Sequence, residues 1–210
     1  MNKHNEIMVI RKEILFAKKQ FYGYSETGDY ETIILKNYEW MERDLAEVND
    51  QYKQPICYII ICNLNLKKVF IYQRASKDKD YSEKRLQGKY SCGIGGHIEK
   101  MDLEATNPIN ASLIRELKEE VDIFDSKDLK IIGYINDEKD DVGKVHFGML
   151  YLLNTNAEKI TPLAPEIKEG KFIDIVEFEN ICNSSNLNVE GWTKISLESL
   201  KKYLAIINKF

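Results

Sequence analysis

Between Asn107 and Val121 the chain carries a pattern that only an amphipathic helix can satisfy. Ile109, Leu113, Leu117 and Val121 recur every four residues, and Ile114 widens them into an apolar stripe. Asn107 suits the cap and Pro108 the first helical position. Glu116, Glu119 and Glu120 then fall at i, i+3 and i+4, so one face of the helix projects three carboxylates, about a quarter turn from the stripe. Like charges this close destabilise a helix unless a counter-ion gathers them. Hard oxygen donors select Mg²⁺ or Mn²⁺ for that role. A glycine turn, Gly95-Gly96-His97-Ile98-Glu99, lies just upstream. The pairing of turn and helix reads as the core of a metal-dependent enzyme.

Composition narrows the setting. A chain of 210 residues can bury a real core, and 43% hydrophobic with 30% charged residues argues against disorder. The net charge of −4 offers no general basic field, which disfavours long nucleic acid but leaves room for a small phosphorylated substrate held locally. The four cysteines (Cys57, Cys62, Cys92 and Cys182) show no CxxC, so they are expected to be reduced. Met1 to Lys12 is too polar for a signal peptide, and Ile56 to Cys62 is far short of the roughly 20 apolar residues a membrane helix needs. The expectation is a soluble, cytoplasmic protein without a membrane partner.

Along the chain, residues 1–54 read as a small N-terminal α+β extension: a strand over Ile7 to Phe16, then a helix within 31–50. Pro55 marks the change of pattern, and 55–210 reads as the main domain. Ile56 to Cys62 and Lys68 to Arg74 form a hairpin of strands, and a charged segment from Ser76 to Gln87 follows. Lys130 to Asn136, Lys144 to Leu153 and Gly170 to Phe178 read as further strands, and Trp192 to Asn208 as a C-terminal helix. Asp122, just past the acidic helix, sits where a left-handed residue often ends one. Strands interleaved with helices predict an α/β fold with a mixed sheet between helical layers.

Arg115-Glu116-Leu117-Lys118-Glu119-Glu120-Val121-Asp122-Ile123 resembles the signature of the Nudix hydrolases, with Asp122 in place of a glycine. In the first half of the signature, after five residues following Gly96, the chain has Asp102 where the family has Glu. Twelve residues rather than seven then separate Asp102 from Arg115, which implies an insertion within 103–109 and leaves Glu104 as another candidate for the first acid. Gly95-Gly96-His97-Ile98 and Gly133-Tyr134-Ile135-Asn136-Asp137 further resemble a Nudix subgroup with this loop and an N-terminal extension. The resemblance implies the Nudix α/β/α sandwich and a Mg²⁺- or Mn²⁺-dependent cleavage of a diphosphate linkage. Glu119 and Glu120 would hold metal with the Gly96 carbonyl, and Glu116 would be ligand or general base. Arg115 would orient the carboxylates, and Glu99 or Asp102 would complete the shell through water. Family members often add an acid from a later loop, for which Glu138, Asp140, Asp141 and Glu166 are candidates, and often form homodimers.

Arg74, Arg85, Lys89 and His97 lie near enough in sequence to contact phosphates, Arg being suited to bidentate contact. Each alone is equally readable as a surface cation or, for His97, a packed loop residue. His146 reads as a buried, hydrogen-bonded strand residue. With only His4, His97 and His146 and no HxxxH spacing, no zinc site is expected. Two other functions compete. A catalytically weak nucleotide sensor would explain the altered loop and Asp122. An isoprenoid diphosphate isomerase on the same fold would need a cysteine at the site, for which Cys92 is the candidate.

Overall fold

In the computed structural model, the described residues are 6–75, 86–123 and 126–207. The elements run β1 (Glu6–Arg11), α1 (Lys12–Leu15), β2 (Gly23–Ser25), α2 (Tyr30–Asn37), β3 (Glu39–Glu42), α3 (Arg43–Ala46), β4 (Tyr52–Asn63) and β5 (Lys68–Arg74). After β6 (Tyr90–Ser91), β7 (Gly93–Ile94) and a 3₁₀ turn at Lys100–Glu104 come α4 (Pro108–Glu120), β8 (Val121–Asp122) and β9 (Ser126–Asn136). The chain ends with α5 (Asp141–Val145), β10 (His146–Thr155), β11 (Thr161–Pro162), β12 (Ile167–Asp174), α6 (Ile175–Asn183) and α7 (Gly191–Ile207).

The main sheet has the order β12-β5-β4-β10-β9-β2. Its centre is mixed: β10 runs parallel to β4, from His146 beside Gln54 to Asn154 beside Cys62, and antiparallel to β9. All twelve residues of β4 are buried, as a strand covered on both faces must be. Its alternation divides the core. Cys57, Ile59 and Ile61 pack with Phe147, Met149, Ile109 and Leu113 under α4. Tyr58, Ile60 and Cys62 pack with Leu150, Leu152, Phe178 and Leu200 under α6 and α7. The result is an α/β/α sandwich.

Residues 6–54 contribute to this sheet directly. Ile10 and Arg11 pair with Lys53 and Tyr52, β2 pairs with β9, and Leu15, Tyr30 and Ile34 lie in the core that α4 covers. β4 begins at Tyr52, so Pro55 lies inside a strand rather than at its edge. Cys57 N–H donates to the Gly96 carbonyl (3.2 Å), and the two-residue period puts the missing Pro55 N–H on that same side. There the partner changes from β1 to the loop at His97, so no ladder bond is lost.

Three expected elements change type. The helix expected within 31–50 stops at Asn37, because β1 recruits Glu39–Glu42 as a strand that pairs Ile7 with Met41. The strand expected over Ile7 to Phe16 turns helical at Lys12. The strand expected over Gly170 to Phe178 instead spans Ile167–Asp174, and it ends opposite Lys68, where its antiparallel partner β5 begins. Phe178 and Cys182 then bury one face of α6 at helical spacing. Ser76 to Arg85 lies outside the described residues.

Candidate active site

α4 begins as its sequence predicts: the Asn107 side chain accepts from the backbone N–H of Ile109 (2.9 Å) and Asn110 (3.3 Å), with Pro108 in the first turn. Ile109 and Leu113 anchor it in the core, whereas Ile114, expected to widen the stripe, is 53% exposed. The helix ends at Glu120, where Val121 turns extended (φ −143°, ψ 142°). β11 captures Val121 and Asp122 as a two-residue ladder. Asp122 therefore needs no left-handed backbone, and Lys67 is the one non-glycine residue with positive φ among the described residues. The substitution of the signature glycine by Asp is absorbed by a strand.

Arg115 organises the acids. Its Nε and Nη2 donate to the two Asp102 carboxylate oxygens (both 3.0 Å), Nη2 also donates to the His97 carbonyl (2.9 Å), and Nη1 donates to Glu116 Oε1 (2.7 Å) and Glu119 Oε2 (3.3 Å). Burial opposes the Arg115 charge, but the bonds to Asp102 and Glu116 outweigh it and keep the guanidinium protonated. Asp102 is 5% exposed and is also bonded by Glu99 N–H (2.9 Å), closing a capping box around the 3₁₀ turn. The 3₁₀ turn thus delivers Asp102 to Arg115, with both its oxygens engaged there.

Glu116 and Glu120 are the half-buried carboxylates of the helix face. Burial raises Glu116 to about 7, with Arg115 opposing and Glu119 and Glu99 adding to the rise. Burial raises Glu120 to about 8; Arg74 opposes, Glu116 adds, the Gly95 amide opposes by donating to the carboxylate, and Glu166 adds. Glu119 is the outer member, its side chain 59% exposed. Gly96 lies against Glu116: a Cβ on Gly96 would come within 2.7 Å of Glu116 Oε1. Gly95 has φ 135°, and a Cβ there would stand 1.9 Å from the Cys57 carbonyl oxygen, which is backbone and cannot yield. Gly95→Ala should cost about 2–4 kcal/mol of stability, read by urea denaturation. A loss below about 1 kcal/mol would mean that the loop refolds freely.

Among the later-loop acids the structure discriminates. Glu138 is bound by Lys12 (2.7 Å) and the fully buried Lys53 (3.1 Å), Asp140 caps α5 by accepting from Gly143 N–H (2.8 Å), and Asp141 pairs with Lys144. Glu166 is the one that faces Glu120 electrostatically. This arrangement fits a hard divalent cation. Two like charges are half-buried together beside a third acid and a glycine carbonyl, and oxygen is the donor throughout. In metal-free protein these carboxyls, raised above their unfolded pKa, hold protons that the unfolded chain has released. Their stabilising effect is complete below about pH 4.5 and is lost as pH rises through about 7 to 8. The melting temperature of chelator-treated protein should fall by about 5–10 °C between pH 5 and 8.5, and Mg²⁺ should reverse the fall. A flat profile would mean the acids are solvated.

The expected phosphate contacts separate. Arg74 is ion-paired to Glu190, lies over the Tyr72 ring and acts on Glu120, while Ser91 Oγ holds the other Glu190 oxygen (2.8 Å). The Lys89 carbonyl accepts from Arg74 N–H (2.9 Å), which sets Lys89 beside the end of β5. Arg85 lies outside the described residues. The His97 ring meets Gln54, His146 and Glu47 rather than the acids of α4. Sequence reading missed Glu47, Gln54 and Glu190: each comes from a distant segment, and no spacing rule connects them. Cys92 lies fully buried in the opposite core against Tyr58 and Thr193, and burial raises its thiol to about 12, so it is not presented as an isomerase cysteine.

No protein-family model matches the chain. Protein YmaB of Bacillus subtilis is 31% identical over 207 residues, covering 93% of this chain and 89% of that protein. The crystal structure of Tm1382, a candidate Nudix hydrolase, superposes with a TM-score of 0.76 at 28% identity, covering 94% of this chain and 99% of that one. The chain belongs to the Nudix superfamily. Two further Nudix structures share the fold: the domain of Shewanella oneidensis NrtR in complex with ADP-ribose (TM-score 0.54, 12% identity, 72% and 88% coverage) and a Nudix hydrolase from Alicyclobacillus acidocaldarius (0.55, 13%, 73% and 96%). Nudix hydrolases are phosphoric anhydride hydrolases, and that is the class of enzyme to which this chain is assigned.

Proposed function

We propose that this Nudix protein is a Mg²⁺- or Mn²⁺-dependent hydrolase that cleaves the diphosphate linkage of a nucleoside-diphosphate-linked or related small substrate in the cytoplasm. The observation that carries the reading is the convergence of half-buried Glu116 and Glu120 on the Gly95-Gly96 loop, with Glu119 and Glu166 beside them. Glu119, Glu120 and the Gly96 carbonyl would hold the ion, with Glu116 as a further ligand or as the base. Such an ion neutralises phosphate charge and lowers the pKa of water. Glu116, raised toward neutrality by burial, is suited to take the proton from that water at its carboxylate oxygen. Arg115 fixes the Glu116 rotamer by bonding Oε1, so the base does not have to be ordered as the reaction proceeds. Arg74, Lys89 and, outside the described residues, Arg85 are the cations proposed to receive the diphosphate. No described helix is long and apolar enough to cross a membrane.

The test is cleavage of the diphosphate bond in a panel of nucleoside diphosphate derivatives with Mg²⁺ or Mn²⁺, read by separating the two phosphomonoester products, which for ADP-ribose are AMP and ribose 5-phosphate. Metal-dependent turnover of a panel member supports the reading. Ligand-induced thermal stabilisation without turnover of any member would replace it with a nucleotide sensor.

A further inference from the structure

A second cluster of metal-ligating atoms lies on the other side of the glycine loop. His97 Nε2 and His146 Nε2 are 3.2 Å apart, and Glu47 Oε1 is 4.0 Å from the first and 3.9 Å from the second. The point equidistant from the three atoms lies about 2.2 Å from each, at the long end of zinc–nitrogen and zinc–oxygen bonds. The 3.2 Å separation of the two nitrogens is close to the roughly 3.3 Å edge of a tetrahedron with such bonds, whereas Glu47 Oε1, 4.0 and 3.9 Å away, would have to close by about 0.6 Å to complete it. His146 Nδ1 donates to the Val142 carbonyl (2.7 Å), which leaves a lone pair on Nε2 aimed into the cluster. Gln54 Oε1, 2.7 Å from His97 Nε2, is a fourth ligand atom at the same place. Gln54 is fully buried, so its side chain is held at this place by the surrounding core.

We infer that Glu47, His97 and His146 form a zinc site, separate from the acidic site on α4, with Gln54 at its fourth position. Its donors differ from those of the acidic site: two neutral imidazoles and one carboxylate favour zinc over Mg²⁺. Arg43 Nε lies 3.7 Å from Glu47 Oε1 and remains as a neighbour of the bound carboxylate. The three ligands come from three segments: the end of α3, the residue after Gly96, and the first residue of β10. A zinc ion there ties the N-terminal segment to the loop that holds Gly96, and so gives residues 6–54 a direct part in shaping the acidic site. A structural ion of this kind binds the folded chain alone and stabilises it by mass action.

The experiment uses the untagged full chain, stripped with chelator and re-equilibrated with zinc in millimolar Mg²⁺, followed by metal analysis and thermal denaturation. One zinc per chain is expected, with a rise in melting temperature of more than about 5 °C. Substituting cobalt should give the visible absorption of a four-coordinate site. Glu47→Gln and His146→Ala should each weaken zinc binding at least tenfold, while Glu120→Gln leaves it unchanged. Because Glu47 lies near the surface, Glu47→Gln keeps the test valid if His146→Ala fails to fold. No retained zinc would overturn the inference, leaving a hydrogen-bonded histidine pair. Zinc lost on Glu120→Gln, or retained equally by Glu47→Gln and His146→Ala, would overturn it as well.

Discussion

Glu116→Gln should lower turnover of the accepted substrate by about 10³-fold with KM nearly unchanged. The substitution keeps the side chain's volume, and its amide oxygen still accepts from Arg115 Nη1, now 2.7 Å from Oε1. What it removes is the one acid that is half-buried, held against Gly96 and raised to about 7. A thousandfold loss corresponds to about 4 kcal/mol of transition-state stabilisation, within the range of a lost general base together with a lost anionic ligand. Stability separates this from misfolding. In chelated protein at pH 8, Glu116→Gln should melt at or above the wild-type temperature, since it relieves a half-buried carboxyl. Activity within tenfold of wild type would reassign the base to Glu119, Glu120 or Glu166.

Arg115→Ala should be the most destabilising single change at the site, by about 3–5 kcal/mol. Asp102 is 5% exposed and both its oxygens depend on Arg115, so the variant strands a buried charge. Glu116 loses its donor in the same step and the His97 carbonyl keeps only Ser112 Oγ (3.2 Å), so activity should collapse along with stability. Adding Asp102→Ala to Arg115→Ala should recover part of the loss, because the stranded charge is then gone. The double-mutant cycle should show a coupling above about 1 kcal/mol. Additive effects would mean that water reaches Asp102 and that Arg115 is a surface cation.

How much of this could be read in advance depended on the range of the interactions. The apolar spacing of Ile109, Leu113 and Leu117 and the cap at Asn107 are local, and α4 follows them closely. Propensity misled where a distant partner decided the outcome. Glu39–Glu42 became a strand because Ile7 and Val9 offered an unpaired edge, and β12 starts at Ile167 because Arg74 lies opposite it. Ile114 fits the stripe by spacing, yet the α4 surface at that position faces solvent.

The site divides in the same way. The residue order alone placed Glu116, Glu119 and Glu120 on one helix face with Arg115 beside them, since helical geometry needs nothing beyond the helix. It also put the Gly95-Gly96 turn upstream. Which acids are buried, how Asp102 is spent on Arg115, why Glu166 rather than Glu138 faces Glu120, and how Glu47, His97 and His146 come to share one point were decided by the tertiary structure. Burial and charge pairing depend on segments tens of residues apart. Only the closed sheet, with β10 beside β4 and β1 crossing onto β4, brings those segments within bonding distance.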